Sequence, residues 1–197
     1  MQVVPRQQGR YAPRDECGNL PGAREFRLRL AEAVRKRDAD TVAAMAIEDI
    51  RLGFGGQDGR QRFLRQLKAP DGQTMGELEQ LLQLGCAATD GGGLTIPWHF
   101  AQDFGDTDSY SAMLVTGVDV PLRIRAEVDA PVIEGLSWDV ATLVGGLQPD
   151  APFQQVKAVS GKTGYVETGK LRSLLDYRLL AVKQGDDWKI TALLAGD

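Results

Sequence analysis

The chain of 197 residues is long enough for one domain of ordinary size or two small ones. Hydrophobic residues make up 43% and charged residues 25%, which excludes global disorder and predicts a packed core. The net charge of −4 argues against a nucleic-acid partner, because nucleic-acid-binding domains carry a strongly basic face. No apolar run approaches the roughly 20 residues of a transmembrane helix.

Residues 1–22 are predicted to form an extended arm, since they are rich in Pro, Gly, Arg and Gln and end at Pro21-Gly22, a pair that interrupts regular structure. The segment lacks the apolar core of roughly 7–15 residues that defines a signal peptide. The chain is therefore predicted to be either a cytosolic protein or the mature form of an exported one.

The two cysteines, Cys17 and Cys86, bear on that choice. An even number at wide spacing suits one disulfide in an exported protein, and the absence of CxxC or Cys/His clusters argues against a metal site. The alternative is two buried, unpaired thiols in a cytosolic protein. We expect the disulfide, with Cα atoms within about 7 Å, and a periplasmic or secreted location.

Residues 23–105 are predicted to be an α-rich N-terminal domain. In its first helix, apolar residues recur at i, i+4, i+7 and i+8 from Phe26, which gives one buried stripe. Asp38 or Asp40 can cap the second helix, and Thr74 with Glu77 is placed as a capping box for the fourth. The predicted helices are Ala23–Arg37, Ala39–Ala46, Arg60–Lys68 and Thr74–Leu84, with strands at Ile50–Phe54 and Leu94–Phe100 and a tight turn at residues 55–59.

After an acidic linker at Asp103–Asp108, the helical period gives way to short β-rich runs between turn residues. This pattern predicts a small β-barrel and a terminal hairpin within residues 108–197. The predicted strands are Met113–Thr116, Val120–Arg123, Pro131–Leu136, Val140–Val144, Phe153–Val159 and Thr163–Glu167, followed by a hairpin of Arg178–Lys183 and Trp188–Leu194.

The stretch from about Ser111 to Ser173 resembles a bacterial SH3-like domain. The resemblance rests on three blocks: Val115-Thr116-Gly117 with Val120–Arg123, then Pro131–Leu136, and then the Gly-x-x-Gly-Tyr-Val hairpin at Gly161–Val166. The whole chain also resembles uncharacterised exported proteins of α-proteobacteria. The resemblance implies an α+β protein: an α-rich N-terminal domain followed by a small SH3-like β-barrel with a C-terminal β-hairpin.

Candidate catalytic groups are few. Gly161-Lys162-Thr163 lacks the glycine that a phosphate-binding loop carries five residues earlier, where Val156 stands. The single histidine, His99, lies in an apolar run and is predicted to be structural. The acidic linker lacks the ligand spacing of a calcium loop, and Glu77 and Glu79 lie on different faces of one helix. We therefore expect no catalytic residue, no metal and no cofactor.

Aromatic side chains are the most usable feature of the barrel, because SH3-like barrels bind extended peptides in aromatic grooves. Tyr110, Trp138 and Tyr165 are the candidate binding residues. The predicted function is a non-catalytic, exported binding module that acts at the cell envelope, with a cell-wall peptide or an envelope protein as its partner. Two alternatives stay open: a structural or assembly protein without a ligand groove, and a hydrolase with paired carboxylates between the two domains.

Overall fold

The computed structural model describes residues 9–55 and 59–196. They form two compact units, each described here by itself: a helix–sheet unit of Pro13–Asp103 with residues 176–196, and a sheet unit of residues 9–12 with Phe104–Leu175. Residues 1–8 of the predicted arm and residues 56–58 of the predicted turn lie outside the described part. Within it, no helix is long and apolar enough to cross a bilayer.

Four helices and five strands build the helix–sheet unit. They are α1 (Ala23–Arg35), α2 (Ala39–Ala44), β1 (Ala46–Arg51), α3 (Arg60–Leu67), α4 (Gln73–Leu82), β2 (Ala87–Ala88), β3 (Leu94–Ile96), β11 (Arg178–Gln184) and β12 (Asp187–Leu194). The strand order is β1-β12-β11-β3-β2, with β1 parallel to β12 and the other pairs antiparallel.

The apolar stripe of α1 forms the centre of this unit, as its spacing predicts. Phe26 and Leu30 are buried in one cluster with Trp188 and Ile190 of β12. Helix and terminal hairpin, which are far apart in the sequence, therefore share one hydrophobic core. Apolar area removed from water in such a core stabilises the fold by about 25 cal/mol per Å².

Helix starts follow the expected capping chemistry in one case and not in another. Asp38 caps α2 as predicted: its carboxylate accepts a hydrogen bond from Thr41 N at 3.0 Å. The capping box predicted at Thr74 and Glu77 is wrong, because α4 begins one residue earlier, after Gly72, and its first N–H, that of Gln73, donates to the Asp71 carboxylate at 3.0 Å. Gly72 there has φ +64°, a conformation open to glycine at little cost.

Seven antiparallel strands build the sheet unit. They are β4 (Ala112–Val115), β5 (Val120–Arg123), β6 (Val132–Leu136), β7 (Val140–Leu143), β8 (Phe153–Ala158), β9 (Thr163–Glu167) and β10 (Leu171–Ser173). Their order is β10-β4-β7-β8-β9-β5-β6. Leu122, Val156 and Val166 are fully buried in its core.

The predicted fold class is wrong in two respects. The sheet unit is an open sheet with β6 and β10 at its edges, where a closed SH3-like barrel was expected. The terminal hairpin does not extend it: β12 pairs with β1 and β11 pairs with β3. The N-terminal helices consequently belong to a mixed helix–sheet unit and not to an α-rich domain, and a second unit boundary falls at Leu175–Asp176, inside the predicted 108–197 range.

A glycine on β9 permits close approach of β5. A Cβ atom at Gly164 would lie 2.6 Å from the carbonyl oxygen of Arg123 and 2.9 Å from the Leu122 side chain. We therefore expect Gly164→Ala to lower the free energy of unfolding by about 2 kcal/mol, as overpacking of a core does. Urea denaturation measures this change.

Gly169→Ala is the matched control, because a Cβ atom there meets nothing within 4 Å. Equal urea midpoints for Gly164→Ala and Gly169→Ala would contradict the close approach of β9 to β5.

Candidate functional site

The predicted disulfide is present in the helix–sheet unit. Cys17 and Cys86 are bonded, with Cα atoms 5.7 Å apart and both side chains buried. Backbone hydrogen bonds flank the bridge: Glu16 N donates to Cys86 O and Cys86 N donates to Arg14 O, both at 2.8 Å. The disulfide thus fixes the segment before α1 to the segment that follows α4, and it fits an extracellular or periplasmic protein.

The three candidate aromatic residues all lie in the sheet unit, in different settings. Tyr110 is exposed just before β4, Trp138 is buried between β6 and β7, and Tyr165 is half-buried on β9 opposite Gln155. In the strand order, β7 and β8 lie between β4 and β9. These positions do not define one aromatic groove, and the binding role of the three residues stays a prediction.

A cleft opens where the chain turns from β6 into β7. Strand β6 is at the free edge of the sheet, whereas β7 lies between β4 and β8, so these consecutive strands diverge. The space between them has a volume of about 300 Å³, and we call it the corner cleft. Its described lining residues are Val115, Glu134, Gly135, Leu136, Ser137, Asp139, Val140, Ala158, Val159 and Ser160.

Backbone hydrogen bonds at Trp138 hold the corner itself. Trp138 has φ +45°, a left-handed conformation that is uncommon for a residue with a large side chain. Its N–H donates to Gly117 O at 3.0 Å, and its carbonyl accepts from Tyr11 N at 2.8 Å. Asp139 O accepts from Val115 N at 2.9 Å. The backbone on the β7 side of the cleft is therefore fixed by neighbouring segments.

Glu134 provides one polar wall of the cleft. Its carboxylate accepts a hydrogen bond from Ser160 Oγ at 2.5 Å and pairs with Lys162 Nζ at 3.0 Å. The Ser160 hydroxyl first, and then Lys162, hold the pKa of Glu134 below its usual range. Glu134 is consequently ionised at neutral pH, and Lys162 balances its charge.

Ser160 and Lys162 reach Glu134 from the turn between β8 and β9. Ala158 N donates to Lys162 O and Gly161 N donates to Ala158 O, both at 2.9 Å, and Gly161 has φ +87°. The Gly161-Lys162-Thr163 segment thus belongs to a hairpin between two strands. A phosphate-binding loop instead leads from a strand into a helix.

Asp139 provides a second carboxylate and has a different environment. Its Oδ1 accepts a hydrogen bond from Val140 N at 2.8 Å. Among the ion pairs of the described residues, none involves Asp139, and none of the described lining residues is Lys, Arg or His. The cleft therefore contains a half-buried carboxylate whose charge has no ion-pair partner in the described part of the chain.

The edge of β6 also offers backbone groups to the cleft. Opposite residues in antiparallel strands alternate between bonded and non-bonded pairs, and Ile124 N donates to Pro131 O at 3.1 Å. A register shift separates that pair from Val120–Leu122, where Leu136, Gly135 and Glu134 lie opposite in turn. Pro121, opposite Gly135, has no N–H to donate, so this pair is a non-bonded one. The register thus directs the N–H and C=O of Gly135 away from β5, toward the free edge.

The alternatives weighed from the sequence occupy ordinary structural settings. His99 is buried in a short 3₁₀ helix, Trp98–Ala101, where a strand was expected. Asp108 accepts hydrogen bonds from Ser111 Oγ and Tyr110 N, which lower its pKa. Glu79 pairs with Arg37 at 3.0 Å. Within residues 9–55 and 59–196, no group of three or more His, Cys, Asp or Glu is placed to hold a metal ion.

The residues of the corner cleft were not singled out from the sequence. Glu134 and Ser160 lie 26 positions apart and meet only through the sheet. One local signal was available: Ser137 and Asp139 are polar residues in the short connection between two predicted strands, and connections carry binding residues more often than strand interiors do.

No protein-family model and no curated protein sequence matches the chain. Similar solved structures include an NTF2-like protein with a cystatin-like fold from Novosphingobium aromaticivorans, with 13% identity, a TM-score of 0.32, and coverage of 87% of this chain and 76% of that one. An NTF2-like protein of unknown function from Shewanella oneidensis has 14% identity, a TM-score of 0.30, and coverage of 88% and 94%. A putative calcium/calmodulin-dependent protein kinase II association domain from Xanthomonas campestris has 11% identity, a TM-score of 0.32, and coverage of 95% and 97%.

These likenesses are too remote to argue a function. They do not include the SH3-like family that the sequence blocks suggested, nor do they support the resemblance to uncharacterised exported α-proteobacterial proteins. The open order of the seven-stranded sheet corrects that recognition: the chain is not assigned to the bacterial SH3-like family.

Proposed function

We propose that the sheet unit is a non-catalytic binding module whose corner cleft receives an extended polypeptide segment. The observation that carries the proposal is the free edge of β6 beside an open cleft that Gly135 lines. The register of β5 and β6 turns the N–H and C=O of Gly135 toward that edge. An extended segment that lies in the cleft can pair with this edge and so add a strand to the sheet. Strand addition is a common mode of peptide recognition.

The size of the cleft supports a narrow ligand. Its volume of about 300 Å³ lies at the lower end of the range of roughly 300–1,000 Å³ that small-ligand sites occupy. Gly135 has no side chain that could cover its backbone groups, and its neighbours Glu134 and Leu136 are half-buried. Such a site suits one extended strand better than a helix about 10 Å wide.

The disulfide supports the choice of partner. The disulfide suits an oxidising compartment, and the proposed partner is a peptide or protein segment of the cell envelope. The proposal assigns no chemistry to the chain, because Ser160 and then Lys162 lower the pKa of Glu134 and so make this carboxylate a weak base for the Ser160 hydroxyl. An activated nucleophile would instead need a base strong enough to take its proton.

Selection of a linear heptapeptide library on the intact chain, followed by NMR titration of an enriched peptide, tests the proposal. We expect amide shifts concentrated in Val132–Leu136. Gly135→Pro should abolish binding, because proline has no N–H to offer a ligand strand. Gly135→Ala is the matched control and should bind within about twofold, because its Cβ would lie 3.3 Å from Oδ1 of the exposed Asp119 side chain, which can move by a few tenths of an ångström.

Failure to enrich any peptide, or shifts confined to other strands, would sink the proposal. Equal binding by Gly135→Pro would do the same, provided that its dispersed NMR spectrum shows the sheet unit folded.

A further inference from the structure

We infer that the polypeptide received by the corner cleft carries a cationic side chain, lysine or arginine, that pairs with Asp139. This inference rests on the proposed function and specifies the chemistry of its ligand. The cleft is lined by two carboxylates and, among its described residues, by no basic side chain.

The two carboxylates are not equivalent. The Glu134 carboxylate already accepts a hydrogen bond from Ser160 and pairs with Lys162. A cationic ligand group therefore gains little binding energy from it. The Oδ1 atom of Asp139 accepts a hydrogen bond from Val140 N, and Asp139 forms no ion pair within the described residues. The charge of Asp139 is thus the one that remains for a ligand.

Partial burial strengthens the interaction of the Asp139 charge with a ligand. Asp139 is half-buried, between β6 and β7, and a charge near the protein interior interacts more strongly than one in bulk water. A hydrogen bond to a charged group contributes about 1.5–3 kcal/mol, which corresponds to roughly 10- to 150-fold in affinity. A neutral ligand would displace water from the Asp139 carboxylate without offering an opposite charge in its place. It would therefore bind more weakly.

The position of Asp139 matches a ligand strand on β6. Asp139 follows Gly135 by four residues around the Trp138 corner, and both residues line the same cleft. A strand that pairs with the backbone of Gly135 therefore passes within reach of a long lysine or arginine side chain to Asp139. Edge pairing supplies affinity from the backbone, and Asp139 supplies selectivity among side chains.

A double-mutant cycle tests the inference with the enriched peptide and a copy in which each lysine is Nε-acetylated and each arginine is replaced by citrulline. Asp139→Asn removes the charge while its Oδ1 can still accept from Val140 N. We expect the wild-type chain to bind the neutralised peptide at least tenfold more weakly. In Asp139→Asn the same neutralisation should change affinity by less than about twofold, because the partner charge is gone. Asp129→Asn, an exposed change of equal charge, should behave as wild type.

Two results would overturn the inference and leave the proposed function standing: enriched peptides without any basic residue, or an equal loss on neutralisation in the wild type and Asp139→Asn. A library that yields no binder overturns the proposed function first, and the inference with it.

Discussion

Removal of the disulfide by Cys17→Ala/Cys86→Ala is expected to lower the free energy of unfolding by about 4 kcal/mol. The bridge joins residues 69 positions apart, and loop-closure entropy for a chain of that length amounts to about 4 kcal/mol at 25 °C. Both cysteines are fully buried, so alanine replaces them without exposing a polar atom. Urea unfolding with a fixed m-value measures the change.

The reduced wild-type protein is the control for the bridge itself. It should unfold close to the double-alanine variant, since both lack the covalent loop while the backbone bonds between Glu16 and Cys86 remain available. A loss below about 1 kcal/mol in both would mean that the unfolded chain is already constrained in this region.

Trp188→Ala is expected to cost about 4 kcal/mol of unfolding free energy, as aromatic deletions in cores do. Trp188 is 3% exposed on β12, its ring centroid lies 6.3 Å from that of Phe26, and its Nε1 donates to Pro21 O at 3.0 Å. The change therefore leaves a cavity under α1 and an unpaired carbonyl at the start of that helix. Thermal and urea unfolding measure the loss.

Trp188→Phe separates the two contributions. Phenylalanine keeps an aromatic ring against Phe26 and removes only the hydrogen bond to Pro21 O, so we expect a loss of about 1–2 kcal/mol. A Trp188→Ala variant as stable as Trp188→Phe would show that the ring does not fill the space between β12 and α1.

Local structure could largely be predicted from the sequence. The strands Val120–Arg123 and Thr163–Glu167 have the predicted bounds, and helix α1 ends two residues before its predicted end. The apolar period identifies such elements because it reports which side of each is buried. Strand β1 was placed four residues late, because Ala46–Arg51 contains a charged stretch at Glu48-Asp49 that obscures its alternation.

Partner choice could not be predicted in the same way. The sequence predicts the hairpin within Arg178–Leu194, but it does not predict that the hairpin pairs with β1 and β3. Strand pairing depends on contacts between residues far apart in the chain, and a buried strand looks alike in either sheet. The corner cleft was missed for the same reason, because Glu134, Asp139 and Ser160 come from three separate elements.

The position of β11 and β12 within the five-stranded sheet has a consequence for the growing chain on the ribosome. Helices α1–α4 and β1 emerge first, but β1 pairs with β12, which is synthesised after the whole sheet unit. At elongation rates of about 5–20 residues per second, the delay between residues 103 and 194 is roughly 5–18 s. During that interval the stripe of Phe26 and Leu30 lacks Trp188 and Ile190, whereas all seven strands of the sheet unit are complete by Ser173. The sheet unit is therefore expected to fold first during translation and the helix–sheet unit last. Until then, a chaperone can bind the exposed apolar stripe of the N-terminal helices.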